Sequence, residues 1–144
     1  MLCYLDTSAL AKWYLNEPGS EEFSFWIGSQ QDTHISSLTA LELGCLLARR
    51  KRAGDFSAAL EQELLDAFRN DVQQGHLVQH AVTDENILNA TRLLEHVSPV
   101  ALRTLDAMHL QIALTIGATG LATADKTMAA AADILEFEVV NFAS

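Results

Sequence analysis

Short apolar runs that alternate with longer helical patterns restrict the fold of this chain more than any other feature. Leu2–Leu5, Thr33–Ser36, His76–Val82, Gly120–Thr123 and Glu138–Phe142 are brief, apolar and strand-like. A helical pattern begins near Ala9, with Thr7 or Ser8 as its expected cap, and breaks at Asn16, Pro18 and Gly19. Ser20-Glu21-Glu22 opens a second helix, with Phe23, Trp26 and Ile27 at helical spacing. Further helices are expected over Leu38–Lys51, from an Asp55 cap to about Asn70, from Thr83 to His96, over Thr104–Ile116 and over Lys126–Ala132. Buried strands separated by helices predict an α/β protein, a three-layer α/β/α sandwich around a central, mainly parallel sheet. With no internal repeat, low-complexity tract or linker, residues 1–144 read as a single domain.

In such sheets ligands bind beyond the carboxyl ends of the strands, where the strand order reverses. Acidic residues at those ends therefore carry the functional signal. Asp6 directly follows the first apolar run, and Asp125 stands just past Thr123. Glu42 and Asp106 lie in the opening turns of helices with apolar flanks. Each has an ordinary explanation by itself. Asp6 suits a turn and Asp125 a helix cap, Thr39-x-x-Glu42 fits a capping box, and an Asp in a first helical turn gains about 0.3–1 kcal/mol from the macrodipole. Ser36 and Ser37 already offer caps to the Glu42 helix, however.

Taken as a set, the four carboxylates have a different meaning. Like charges brought into one crevice raise one another's pKa, and a hard divalent cation with oxygen ligands relieves that conflict. Mg²⁺ or Mn²⁺ also keeps waters for chemistry, and phosphodiester hydrolysis is the reaction such a group suits best.

Charge narrows the choice of substrate contacts. Nineteen acids against nine bases give a net charge of −10, which argues against a protein that coats nucleic acid by electrostatics alone. The bases are grouped, however: Arg49, Arg50, Lys51 and Arg52 stand together, while Lys12 and Lys126 accompany acidic positions. These six are the candidates for gripping a phosphate backbone. No apolar run approaches the roughly 18 residues a membrane span needs, and the first residues lack a signal-peptide layout, so a cytoplasmic location is expected.

The remaining chemistry-bearing residues read as structural. Cys3 and Cys45 match no metal spacing and are expected as buried thiols. His76 and His80 flank a strand-like segment, His109 suits helix packing ahead of a hydrogen bond near the Asp106 site, and Trp13, Tyr14 and Trp26 suit a core, a dimer seam or an exposed partner surface.

YLDTSALAKWYL, ISSLTALELGCLLAR, RTLDAMHLQIALTIGA and LATADKTMAAAA followed by VVNF, in this order, resemble the PIN-domain family and its VapC-type ribonuclease toxins. The resemblance implies a metal-dependent endoribonuclease with Asp6, Glu42, Asp106 and Asp125 as catalytic and metal-holding residues around Mg²⁺ or Mn²⁺. It gives Thr7, Ser8 and Thr123 supporting roles. It also implies a homodimer, a cognate antitoxin protein and an RNA substrate, whether tRNA, rRNA or mRNA. Two rivals stand beside it. An aspartate-based phosphatase or phosphotransfer domain would use Asp6 as nucleophile and expects a second acid two residues away, where Tyr4 and Ser8 stand, although Lys126 meets its need for a late lysine. In a non-catalytic protein-binding module the acids would only cap helices.

Overall fold

The computed structural model describes residues 1–144. Strands β1 (Cys3–Leu5), β2 (Thr33–Ser36), β3 (Val78–His80), β4 (Gly120–Thr123) and β5 (Glu138–Asn141) form one sheet, ordered β3-β2-β1-β4-β5. Every pairing is parallel, with Cys3 opposite both Thr33 and Gly120, and Leu5 opposite Ala122. The helices are α1 (Thr7–Tyr14), α2 (Ser20–Gly28), α3 (Ser37–Arg52), α4 (Ala58–Gln73), α5 (Asp84–His96), α6 (Thr104–Thr115) and α7 (Lys126–Ile134).

Period-2 alternation of side chains along the strands divides the core in two. Cys3, Leu5, Ile35 and Ala122 share one cluster with Leu10, Phe23, Leu43, Leu47 and Phe68 from α1 to α4. Tyr4 and Leu121 share the other with Leu93, Leu110, Ile112 and Met128 from α5 to α7. A sheet covered on both faces explains why Cys-Tyr-Leu is apolar without interruption. Complete burial of a side chain such as Leu10 or Leu43 stabilises the fold by roughly 1.5–3 kcal/mol.

The caps differ from expectation at α1 and α4, whereas α3 starts at Ser36 as the sequence indicates. Asp6 itself caps α1, accepting a bond from the Ala9 amide at 3.0 Å, so Thr7 and Ser8 already lie inside the helix. At α3, Ser36 and Thr39 form the capping box, with Thr39 Oγ1 accepting from the Ser36 amide at 3.1 Å, and Glu42 takes no part. At α4 the cap is Ser57, because Asp55 is bonded to Arg50 Nε. The edge strand β3 is shorter than its apolar run, since it pairs only with the four residues of β2.

Trp13, Tyr14 and Trp26 are core-packing residues, joined through Phe23, Phe68 and Phe142 at centroid distances of 5.2–6.4 Å. Lys12 is only 9% exposed and closes the α1–α2 turn: its Nζ donates to the Pro18 carbonyl at 2.6 Å and pairs with Glu17 at 3.3 Å. Gly19, at φ 92°, permits this, because a Cβ there would sit 3.1 Å from the Lys12 stem. Cys3 is buried as expected, but Cys45 is exposed, since α3 turns that side outward. His76 and His80 have separate partners: His76 bonds Asp71, and His80 stacks on His34 with its Nε2 2.7 Å from His34 Nδ1.

Candidate metal centre

β1 lies between β2 on one side and β4 on the other, so the chain's crossovers diverge at the β1/β4 seam. That seam is the switch point at which parallel sheets open a crevice. Asp6 leaves the carboxyl end of β1 there, and Thr123 is the last residue of β4. Asp125 follows as the cap of α7, its Oδ1 accepting from the Met128 amide at 2.9 Å. Asp6 and Asp125 therefore do cap helices. Capping leaves Asp125 Oδ2 without a protein hydrogen-bond partner, so the two roles are compatible.

Asp6 is 3% exposed and its carboxylate is held from three sides. Oδ1 accepts from Ser8 Oγ at 2.7 Å and the Ala9 amide at 3.0 Å, and Oδ2 accepts from Thr123 Oγ1 at 2.5 Å. Burial pushes its pKa above the ordinary carboxylate range, and the Thr123 and Ser8 bonds act against that shift. Thr123 Oγ1 also accepts from the Asp125 amide at 3.0 Å, so one hydroxyl ties the two acidic positions together. Ser8 Oγ completes the tie by accepting from the Ala124 amide at 2.8 Å. The supporting residues Thr7, Ser8 and Thr123 all contact acids in this way.

Asp106 enters from the first turn of α6 and has no hydrogen-bonding partner in the protein. Burial raises its pKa, and the charges of Asp125 and Asp6 raise it further. Asp106 therefore feels the negative charge of both Asp125 and Asp6. Glu42 reaches the crevice from α3, where its Oε1 accepts from Thr7 Oγ1 at 2.8 Å and is bonded to His109 Nε2. Burial pushes its pKa up, but the His109 contact and the Thr7 bond together hold the carboxyl below its usual value. An open groove of about 380 Å³ leads along Thr7, Ser8, Leu38, Leu41 and Arg49 to Glu42.

This donor set fits a hard cation. It is all carboxylate oxygen, Asp106 has no counter-charge hydrogen-bonded to it, and Glu42 Oε2 and Asp125 Oδ2 are without protein partners. No three of the acids close on one point by themselves.

The candidate backbone-gripping residues separate by burial and pairing. Lys12 is removed from that set, because it lies inside the α1–α2 turn with its ammonium occupied. Arg50 pairs with Asp55 and Glu17, and Lys51 with Glu61. Arg49, Arg52 and Lys126 are exposed and form no ion pair. The residue that sequence reasoning undervalued is His109. The available signal was its position one turn beyond Asp106, but its partner Glu42 is 67 residues away.

A wholly parallel α/β/α sandwich with acids from β1, α3, α6 and the β4–α7 turn directed at its switch point defines the class of protein. The PIN domain family profile matches residues 3–134, and the chain belongs to that family. Among curated proteins it is 32% identical over 123 residues to ribonuclease VapC47 of Mycobacterium tuberculosis (strain CDC 1551 / Oshkosh), covering 80% of this chain and 76% of that one. Among solved structures it resembles VapC20 of Mycobacterium tuberculosis, described as a sarcin–ricin loop cleaving toxin, with a TM-score of 0.71 at 16% identity over 90% of this chain and 94% of that one. It also resembles VapBC2 of Rickettsia felis, solved bound to a DNA fragment from its promoter, with a TM-score of 0.67 at 16% identity over 98% of both chains. No helix is long and apolar enough to cross a membrane.

Proposed function

We propose that the protein is a metal-dependent endoribonuclease, the toxin of a type II toxin–antitoxin pair, acting in the cytoplasm as a homodimer of single PIN domains. The observation that carries this reading is the pairing of Asp6 and Asp125 through the Thr123 hydroxyl at the β1/β4 switch point, with Asp106 under the influence of both charges. The 32% identity to a VapC ribonuclease supports the reaction class, and the likeness to a VapBC complex supports an antitoxin partner.

Mg²⁺ or Mn²⁺, when bound, would neutralise the aspartates, polarise a phosphoryl oxygen and lower the pKa of a bound water. Asp6 is the fixed member, locked by Ser8, the Ala9 amide and Thr123. Asp106, Asp125 and Glu42 supply the oxygens that no protein donor occupies, and Glu42 Oε2 completes the metal-holding set or orients the attacking water. Arg49, Arg52 and Lys126 receive the RNA backbone as point charges that position it without reading its sequence. tRNA, rRNA and mRNA all present that backbone.

The nucleophilic-aspartate alternative requires an Asp6 oxygen open to a phosphoryl group. Burial to 3% and three converging donors oppose it. The test is cleavage of total RNA by the purified protein with Mg²⁺, with Mn²⁺ and with EDTA. Cleavage is expected only with metal, and Asp6→Asn and Asp125→Asn are expected to abolish it. Undiminished cleavage by both variants with metal present would show the mechanism to be wrong.

A further inference from the structure

The structure assigns a positioning role to a buried hydrogen-bond chain from Ser36 and Thr39 through Tyr4 and His109 to Glu42, which fixes the Glu42 carboxylate with Oε1 held by the protein and Oε2 left without a protein partner. This rests on the metal-nuclease reading above and adds residues to it.

His109 is 2% exposed, yet both ring nitrogens are occupied. Nε2 is bonded to Glu42 Oε1, and Nδ1 lies 2.7 Å from Tyr4 Oη. Tyr4, fully buried in β1, has its Oη 2.9 Å from Ser36 Oγ and 3.3 Å from Thr39 Oγ1. A carboxylate only accepts, so His109 donates from Nε2. In the neutral ring Nδ1 then accepts from the Tyr4 hydroxyl, whose oxygen in turn accepts from Ser36.

Packing alone does not account for this arrangement. An apolar residue would fill the space beside Tyr4 without the cost of burying an imidazole, which is recovered only through its two hydrogen bonds. The chain also joins the elements that carry the acids. Tyr4 stands two residues before Asp6, Ser36 and Thr39 cap the helix that bears Glu42, and His109 lies one turn after Asp106. At its crevice end, Thr7 Oγ1 donates to the same Oε1 at 2.8 Å. Two donors on one oxygen select one rotamer of a long side chain that otherwise retains considerable freedom. Outer partners of metal-holding groups orient them in this manner.

The experiment is calorimetric titration of the full chain with Mn²⁺ alone, with urea unfolding in EDTA as the check on folding. His109→Leu is expected to weaken Mn²⁺ binding roughly ten- to hundredfold, the usual cost of losing an outer partner. His109→Gln, whose amide can donate to Oε1, is expected to recover most of that loss. Tyr4→Phe keeps the ring, removes Oη, and is expected to weaken binding in the same direction by a smaller factor. In a Glu42→Ala background, His109→Leu is expected to change affinity by no more than about twofold, because coupled residues are not additive.

Wild-type affinity in His109→Leu would overturn the inference. An equal loss with and without Glu42 would overturn it too, because that is the signature of damaged packing. If His109→Leu does not fold, His109→Gln and Tyr4→Phe decide, with weaker binding in Tyr4→Phe required for the inference to stand. A wild type that binds no millimolar Mn²⁺ would overturn the nuclease reading itself, whereas normal wild-type binding with an indifferent His109 would overturn only this inference.

Discussion

Replacing Thr123 by valine tests the hydroxyl that ties the crevice together. The side chains are nearly isosteric and Thr123 is fully buried, so the change removes hydrogen bonds without opening a cavity. One lost bond is the donation to Asp6 Oδ2 at 2.5 Å; a bond to a charged group contributes roughly 1.5–3 kcal/mol. The other is the acceptance from the Asp125 amide at 3.0 Å, and an orphaned, half-buried amide adds about 1 kcal/mol. Thr123→Val should therefore destabilise the metal-free protein by roughly 2–4 kcal/mol. Thr123→Ser keeps both bonds and loses one buried methyl, at a cost of about 1 kcal/mol.

The sign of the pH dependence follows from Asp6. Its folded pKa already lies above the unfolded value because of burial, and the Thr123 bond opposes that shift. Removing the bond raises the folded pKa further, so the folded variant holds its proton at pH values where the unfolded chain has released it. Both proteins lose stability as pH rises above the unfolded value near 3.8, and the variant's additional loss begins where pH passes the raised folded pKa of the wild type. The deficit of Thr123→Val should thus be larger at pH 7.5 than at pH 4, measured by urea unfolding in EDTA. A deficit below about 0.5 kcal/mol, within the range of ordinary surface substitutions, would refute the reasoning, as would a serine variant no better than valine.

Three further outcomes follow from the same geometry. Because burial raises the pKa values of Asp6 and Asp106, and like charges raise that of Asp106 further, metal and protons compete there; the rise in melting temperature caused by millimolar Mg²⁺ should be greater at pH 7.5 than at pH 5. Lys12→Met should lower stability by about 1–3 kcal/mol by orphaning the Pro18 carbonyl and leaving Glu17 with Arg50 alone, while Arg49→Ala or Lys126→Ala should leave stability unchanged and reduce the salt slope of RNA binding by about 0.7 each, read from urea unfolding and filter binding. In the native protein a thiol reagent should modify Cys45 at once and Cys3 only on unfolding, since Cys3 is fully buried and its pKa is pushed up to about 12 by that burial; two fast equivalents would contradict this.

The strands and helices were legible because each is coded locally. The Thr33–Ser36 and Gly120–Thr123 strands have the bounds their apolar runs indicate, and α5 starts at the Thr83 cap that the sequence marks. The misread features were competitions between neighbours. Asp6, Thr7 and Ser8 are all competent caps, and the winner depends on where β1 ends against β4. Cys45 and Lys12 follow helical spacing, but their exposure depends on what covers each helix face, which spacing does not specify.

By itself the sequence determined that this is a parallel α/β protein with carboxylates at strand ends and helix starts, because periodicity, turn residues and charge are local properties. The strand order that brings β4 beside β1 was decided only in three dimensions, and so were the repulsion of Asp106 by Asp125 and Asp6 and the His109–Glu42 bond. These are relations between residues tens of positions apart, and only the packing of α3 and α6 about the switch point sets the distances on which they depend.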